Sequence, residues 1–409
     1  MTAETVNTRP LSLFADKLVP ASVRLALSVL PNIKGGLLRL RLPDGRTFLF
    51  GDGKGPTAEV AIRDYRFARR VLFSGDIGFA EGWNEGEWTS PDLATALSLL
   101  ADNAERLTRS FNGGPLGQLI NSLTHLGRAN TRGGSRRNIL AHYDLGNAFY
   151  AAWLDPSMSY SSARYSADAD LEAAQAEKYR AVARHAHLKA GDRVLEIGCG
   201  WGGFAELAAR EFGAHVTAIT ISDEQFAFAR NRIDKAGLAS RVDIRRQDYR
   251  DVEGQFDAVV SIEMLEAVGE RYWPTFFNKV TSALKPGGRA SIQVITIRDD
   301  LFANYRRRVD FIQRYVFPGG MLPSIHRLKE EAGRAGLRWE ALDQFGRDYE
   351  RTLVEWSRRF ERNWSAIAAQ GFDERFRRFW LFYLAYCTAG FRTGRTDVVQ
   401  VALSKSPLS

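Results

Sequence analysis

The sequence predicts an α/β protein: a mostly parallel sheet with helices on both faces, plus a small α+β N-terminal domain. Three observations carry that expectation. From about residue 170, helical and strand-like patterns alternate, as in parallel sheets built by crossover connections. The first strand of that run ends in a glycine-rich loop, VLEIGCGWGG at 194–203. Before residue 111 the pattern differs, with strand signals followed by one strong helix.

Taken in order, residues 1–36 start polar and then place Val23, Ala26, Leu27 and Leu30 at helical spacing. That stripe suits a core-facing helix better than a membrane-facing one. Residues 37–50, LLRLRLPDGRTFLF, alternate on either side of a Pro-Asp-Gly turn and read as a β-hairpin. The GDGKG turn at 51–55 lacks the spacing of a nucleotide loop. Pro91 and Asp92 are suited to start the helix PDLATALSLLADNAERL. Residues 111–137, rich in Gly, Asn, Ser and Arg, read as a linker, whose Arg128, Arg132, Arg136 and Arg137 suit phosphates or plain solvation. The domains expected are 1–120, a linker over 121–140, and 141–409. Beyond the linker come LEAAQAEKYRAVARHAHL as helix, RVLEIG as strand, FAELAAREF as helix and HVTAITI as strand. The helix EQFAFARNRIDKAG and the strands VDIRRQD and FDAVVSIE follow, then the helix WPTFFNKVTSAL and the strand GRASIQVITI. The last third reads as helical and aromatic-rich, closing on the strand-like VVQVALSK.

Composition narrows the function. Cys199 and Cys387 are the only cysteines among 409 residues, which argues against a disulfide framework and fits a reducing cytoplasm. The six histidines are scattered without HExxH or paired CxxC spacing, so no metal site is expected. No run reaches the ~20 apolar residues of a membrane-spanning helix. The N-terminus does not read as a signal peptide, since Glu4 and Asp16 interrupt it. A net charge of +8 favours anionic partners, a bilayer face or nucleic acid, although mild basicity is also common without a specific partner.

The glycine loop is the strongest chemical signal. Glycines allow a tight turn and close approach of a ligand to the backbone at the usual cofactor crevice of such a sheet. NAD is the competing ligand, but it usually brings GxGxxG and an acid about 20 residues on. Here Gly198, Gly200, Gly202 and Gly203 have another spacing, and the next strand ends near Thr220, Ser222 and Gln225. That neutral tip favours S-adenosylmethionine over a dinucleotide.

A family resemblance then makes the reading specific. HYDLGNAFY, MSYSSARY, VLEIGCGWGG, TAITISDEQ, QDYRD, FDAVVSIEMLEAVG, DFIQRYVFPGGMLPS, DYERTLVEW and FYLAYCTAGFR occur in this order from His142 onward. The chain resembles the cyclopropane fatty acid synthases, which include the mycolic acid cyclopropane synthases. The first 120 residues more loosely resemble the extra domain of bacterial full-length synthases. The resemblance implies a class I methyltransferase, Rossmann-like sheet and S-adenosylmethionine as cofactor. It places Tyr160, Ser161, Gly198, Gly200, Gly202, Thr220, Gln225, Gln247 and Asp248 around that cofactor. It assigns Glu266, Ile297, Tyr349 and Ser162 to a cage for bicarbonate, and Cys387 to a position once proposed as a nucleophile. Read from the residues alone, Cys387 in an aromatic helix is core, and Glu266 at a strand end is functional.

What the resemblance implies is methylation of a cis double bond in unsaturated phospholipid acyl chains, with cyclopropane formation first. The expected partners are those acyl chains at the inner face of the membrane, a homodimer mate and no nucleic acid. Methyl transfer to an alkene leaves a carbocation that must lose a proton, and bicarbonate is the family's base. Two departures bear on that step: by the expected register Ile295 stands where the family has His, and Ser162 where it has Cys. Gln293 is close by, and Ala267 replaces a further His after Glu266. A methylene branch completed by a separate reductase is therefore the second product. Small-molecule N-methylation is an alternative that the N-terminal domain argues against. A lipid-binding protein with a vestigial enzyme fold is opposed by the intact glycine loop.

Overall fold

The computed structural model describes residues 6–7, 13–14, 16–111 and 145–407. Most of the expected linker, with its four arginines, lies outside them. The chain forms two compact units. The first comprises Met1–Gly127, Arg308–Arg314 and Ala368–Thr393, and the second the remainder. The expected continuous domain over 141–409 is thus interrupted twice by segments of the first unit.

The first unit holds a five-stranded sheet in the order β1-β3-β2-β4-β5. Its strands are β1 (Val6–Asn7), β2 (Leu37–Arg41), β3 (Thr47–Gly51), β4 (Thr57–Ile62) and β5 (Trp88–Thr89). β2 and β3 form the expected hairpin, Leu37 opposite Gly51. Val23, Ala26, Leu27 and Leu30 are buried, as a core-facing stripe requires. Asp92 caps the helix Leu93–Asp102, its carboxylate accepting from Thr95 N, which satisfies one of the free amides of a first helical turn. The helix Glu374–Arg392 also belongs here: Arg378 O accepts from Trp83 Nε1 at 2.9 Å.

The second unit is a seven-stranded sheet, ordered β11-β12-β10-β9-β6-β7-β8. β6 (Arg193–Ile197), β7 (His215–Thr220), β8 (Val242–Arg246), β9 (Phe256–Ile262) and β10 (Leu284–Ile297) pair in parallel. β12 (Thr396–Lys405) runs antiparallel to β10 and to β11 (Leu337–Gln344). β11 is a strand the sequence did not announce. Its burial does not alternate cleanly, because it is an edge strand carrying Arg338, Glu340 and Asp343.

Strand residues alternate between two cores. Val194, Ala258 and Val260 join the layer with Phe204 and Val182, whereas Leu195 and Val259 join the layer with Phe276 and Val280. The period of two, with both faces apolar, is what places helices on both faces. From β6 the chain steps to β7 and β8 on one side, then to β9 and β10 on the other. The carboxyl ends of β6 and β9 therefore flank the switch point where such sheets bind ligands.

Candidate active site

The cradle forms directly after β6. Gly198, Gly200 and Gly202 have φ of 85°, 52° and 85°, a left-handed run that favours glycine. A Cβ on Gly200 would face open space, whereas one on Gly198 would lie 2.8 Å from Met264 Cγ. The first part of the loop is therefore pressed against the end of β9, and its middle is open to a ligand. At the tip of β7, Thr220 Oγ1 donates to Gln225 Oε1 at 2.8 Å and accepts from Ser222 N at 3.2 Å. Gln247 donates its backbone N–H to Thr220 O at 2.9 Å. These neutral groups, grouped beside an open glycine loop, fit S-adenosylmethionine.

Residues 155–163 have no regular secondary structure, so side chains must hold them. Asp155 accepts from Ser157 N and Ser159 N at 2.8 and 3.1 Å. The helix Leu171–His185 secures the rest: Tyr179 OH meets Ser159 Oγ at 2.7 Å, Gln175 Nε2 donates to Ser161 O at 2.9 Å, and Lys178 Nζ donates to Ser161 Oγ at 2.6 Å. Lys178 is wholly buried, and burial lowers its pKa to about 8 against the pull of Glu263, Asp155 and Glu196. Tyr160, in the same segment, packs against Tyr150, Trp153 and Trp356, with ring centroids 5.4, 5.6 and 5.3 Å away.

This segment meets two carboxylates at the end of β9. Glu263 has φ +49°, uncommon for a residue with a side chain, and its N–H is donated to Gln293 O at 2.8 Å. Its Oε1 accepts from Ser162 N at 2.8 Å and Gln293 Nε2 at 2.7 Å, and its Oε2 from Tyr349 OH at 2.7 Å. Glu266 lies one turn on; its Oε1 accepts from Ile295 N at 2.5 Å, and its Oε2 is buried without a partner. Burial raises both pKa values, Glu266 to about 8 with the Glu263 charge adding to it. Three donors converge on Glu263 and one on Glu266, which favours the charged form at Glu263 and the protonated form at Glu266.

Several expected residues take different roles. Ser162 contributes its backbone N–H, while its hydroxyl donates to Ala163 O at 2.9 Å. The register expected along β10 moves by two: Gln293 reaches the carboxylate, and Ile295 supplies the backbone donor to Glu266. Ile297 donates its N–H to Pro323 O instead. Asp248 is bound to Arg250, with oxygens 2.9 and 2.6 Å from the guanidinium nitrogens. Cys387 belongs to the first unit, and burial together with Asp310 pushes its thiol far above the range of a reactive thiolate. The implied bicarbonate does not fit, because Ser162 N and Tyr349 OH, two of its expected donors, are already taken by Glu263. Glu263 and Lys178 are neighbours of the site that the sequence reasoning did not single out. The signal for Glu263 was an acid following a strand that ends at the switch point.

A glycine cradle at the switch point of this sheet, with a neutral β7 tip, defines a class I S-adenosylmethionine-dependent methyltransferase. The family model described as mycolic acid cyclopropane synthetase matches residues 131–401, and the chain belongs to that family. It is 38% identical to tuberculostearic acid methyltransferase UfaA1 of Mycobacterium tuberculosis (strain ATCC 25618 / H37Rv), over 98% of this chain and 99% of that protein. It is 36% identical to the cyclopropane-fatty-acyl-phospholipid synthase of Escherichia coli (strain K12), over 87% and 89%. Among solved structures, mycolic acid cyclopropane synthase CmaA1 complexed with SAH and CTAB superposes with a TM-score of 0.62 at 27% identity, covering 66% of this chain and 98% of that one. Coclaurine N-methyltransferase, at 17% identity and a TM-score of 0.63, covers 81% and 99% and shares the fold.

Proposed function

We propose that the chain methylates the cis double bond of an acyl chain in a membrane phospholipid, that Glu263 removes the proton, and that the product is a methylene branch. One observation supports this reading: the Glu263 carboxylate, beside the end of β9, accepts three hydrogen bonds, which favour its charged, proton-accepting form. Bound S-adenosylmethionine supplies an electrophilic methyl group. The alkene's π pair forms the new C–C bond as the S–CH₃ bond breaks, leaving a cation on the neighbouring carbon. Tyr160, Trp356 and Tyr349 form π-rich walls suited to that cation. A hydride shift moves the charge beside the new methyl group. Glu263 then takes a methyl proton, and the C–H pair becomes the methylene double bond. Proton loss without the shift closes a three-membered ring, which is an isomer of the same mass.

The relative matched over 99% of its length is named a tuberculostearic acid methyltransferase rather than a cyclopropane synthase, and this favours the branch. The ring remains the second reading because another relative is a cyclopropane synthase. A saturated methyl branch would need a separate reductase. Location at the inner face of the membrane is part of the proposal. It is supported by the net charge of +8, by exposed Leu18, Leu25 and Phe73 on the first unit, and by the absence of a spanning helix among the described residues.

The test incubates the full chain with S-adenosylmethionine and vesicles of a mono-unsaturated phospholipid. Mass spectrometry of the released fatty esters is expected to show one added carbon. Proton NMR then separates a methylene from a ring. No product with any unsaturated lipid would overturn the reading.

A further inference from the structure

The buried polar groups behind Glu263 form a directed relay. Gln293 on β10 and Gln400 on β12 are cross-strand partners, both wholly buried among valines and isoleucines. An amide buried in such a strand is costly unless hydrogen-bonded, and each of these has partners at both ends. Gln400 Oε1 accepts from Arg164 Nη1 at 3.3 Å, and its Nε2 donates to Lys178 O at 3.2 Å and Gln293 Oε1 at 3.0 Å. Gln293 Nε2 in turn donates to Glu263 Oε1 at 2.7 Å and faces Ser162 O at 3.4 Å.

The direction of this chain is set by its fixed ends. A guanidinium only donates, and a backbone carbonyl only accepts. Gln400 therefore has one satisfied orientation, and it dictates that of Gln293. Were Gln293 reversed, its oxygen would face two acceptors, the Glu263 carboxylate and Ser162 O, and its amine would face the Gln400 amine.

We propose that Gln400 is a positioning residue for the methylation reaction: it fixes the amine end of Gln293 on Glu263 and so keeps that carboxylate an acceptor able to take the substrate proton. This rests on the reading of Glu263 as the base. The other groups that bear on Glu263 are Lys178 from the helix Leu171–His185, Tyr349 from the helix Gly346–Arg362, and Glu266. Glu196 and Asp155 act on Lys178, while Asp343 pairs with Arg164 at 2.7 Å and lies 3.4 Å from His185.

The test measures kcat/KM against pH for the full chain on one vesicle preparation, together with S-adenosylhomocysteine affinity. Gln400→Leu and the isosteric Gln400→Glu each remove the donor to Gln293. Both are expected to move the acid limb up by about one pH unit, equivalent to about 1.4 kcal/mol, with cofactor affinity unchanged. In a Gln293→Leu background, Gln400→Leu is expected to add no further shift. Arg164→Met, at the partly exposed end of the relay, keeps the test alive should both Gln400 variants fail to fold, and it shifts the limb the same way. A uniform loss of rate at every pH, or shifts that add in the double variant, would overturn the proposal. Glu263→Gln separates the two ideas. If it keeps the wild-type profile, the base assignment itself fails; if it abolishes turnover while the relay variants leave the limb in place, only the relay fails.

Discussion

Tyr349 donates its phenolic hydrogen to Glu263 Oε2 at 2.7 Å, joining the helix Gly346–Arg362 to the end of β9. A donor to a carboxylate favours its charged form, and such a bond contributes about 1.5–3 kcal/mol. Tyr349→Phe removes it, so the Glu263 pKa rises and the base form is lost first on the acid side. The acid limb of the pH–rate profile is expected to move up by about one unit, with little change on the alkaline plateau. An unmoved limb would make the hydroxyl purely structural.

Glu263 combines a left-handed backbone with a buried carboxylate, and both oppose folding. For a non-glycine residue that backbone alone costs about 1–2 kcal/mol. Glu263→Gly relieves that backbone but removes the acceptor of three hydrogen bonds, so it is expected to abolish turnover without raising the melting temperature. It also frees the Ser162, Gln293 and Tyr349 donors for a small anion. Added bicarbonate or formate is expected to restore part of the activity to Glu263→Gly and none to Glu263→Gln, whose amide still fills the space. Proton-transfer groups typically contribute about 10²–10⁴-fold, so Glu263→Gln should lose at least about 100-fold. Full activity in Glu263→Gln would remove Glu263 from the reaction.

Glu266 gives a stability prediction with a definite sign. Its native pKa is raised from 4.5 to about 8, so the folded state holds the proton more tightly than the unfolded one. The stability this brings is complete below about pH 4.5 and is lost as pH rises through about 8. Glu266→Gln keeps the shape and cannot ionise. Its melting temperature is expected to fall less than the wild type's across that window, when both are followed by calorimetry. Parallel curves would mean that Glu266 is already ionised at neutral pH.

Much of this was legible in the sequence, for reasons tied to particular residues. Alternation of two cores through Val194, Leu195, Ala258 and Val259 is a local pattern, so the parallel sheet could be read directly. Asp92 announced its helix because capping is local too. The carboxylate site was only half visible. Glu266 and Tyr349 matched quoted motifs, but Glu263 acquires its role from a positive φ and from donors on Ser162, Gln293 and Tyr349, which are distant in sequence. The two-residue shift along β10 was hidden because Gln293 and Ile295 share one face of the strand, and only the pairing of Gln293 with Gln400 decides between them. The interleaved units escaped notice because nothing in the composition of Arg308–Arg314 or Ala368–Thr393 says which core they join.

The glycine cradle offers a contrast between neighbours. Gly198→Ala puts a methyl group 2.8 Å from Met264 Cγ at φ +85°, so the loop must shift at the residue following Glu263. Gly200→Ala meets no protein atom within 4 Å and carries mainly the backbone cost at φ +52°. Calorimetry with S-adenosylhomocysteine is expected to show weaker binding for both. Only Gly198→Ala should also slow turnover at saturating cofactor, because it alone displaces the carboxylate turn. Equal kcat losses in the two variants would mean that the turn is not coupled to the loop.

Cys387 completes the set, since a nucleophilic thiol would make a different enzyme. Its thiol is pushed up by burial first and by the Asp310 charge second, whereas reactive cysteines are held low by nearby positive charge. Attack by an alkene on a methyl group also needs no covalent enzyme intermediate. Cys387→Ala and Cys387→Ser are therefore expected to keep kcat within about two-fold. The alanine variant leaves a small void, costing about 1 kcal/mol or less of stability. Pre-treatment of the wild type with a thiol alkylating agent should be slow under native conditions and fast in denaturant. A loss of about 100-fold in kcat for both variants, with cofactor affinity and melting temperature unchanged, would return the thiol to the mechanism.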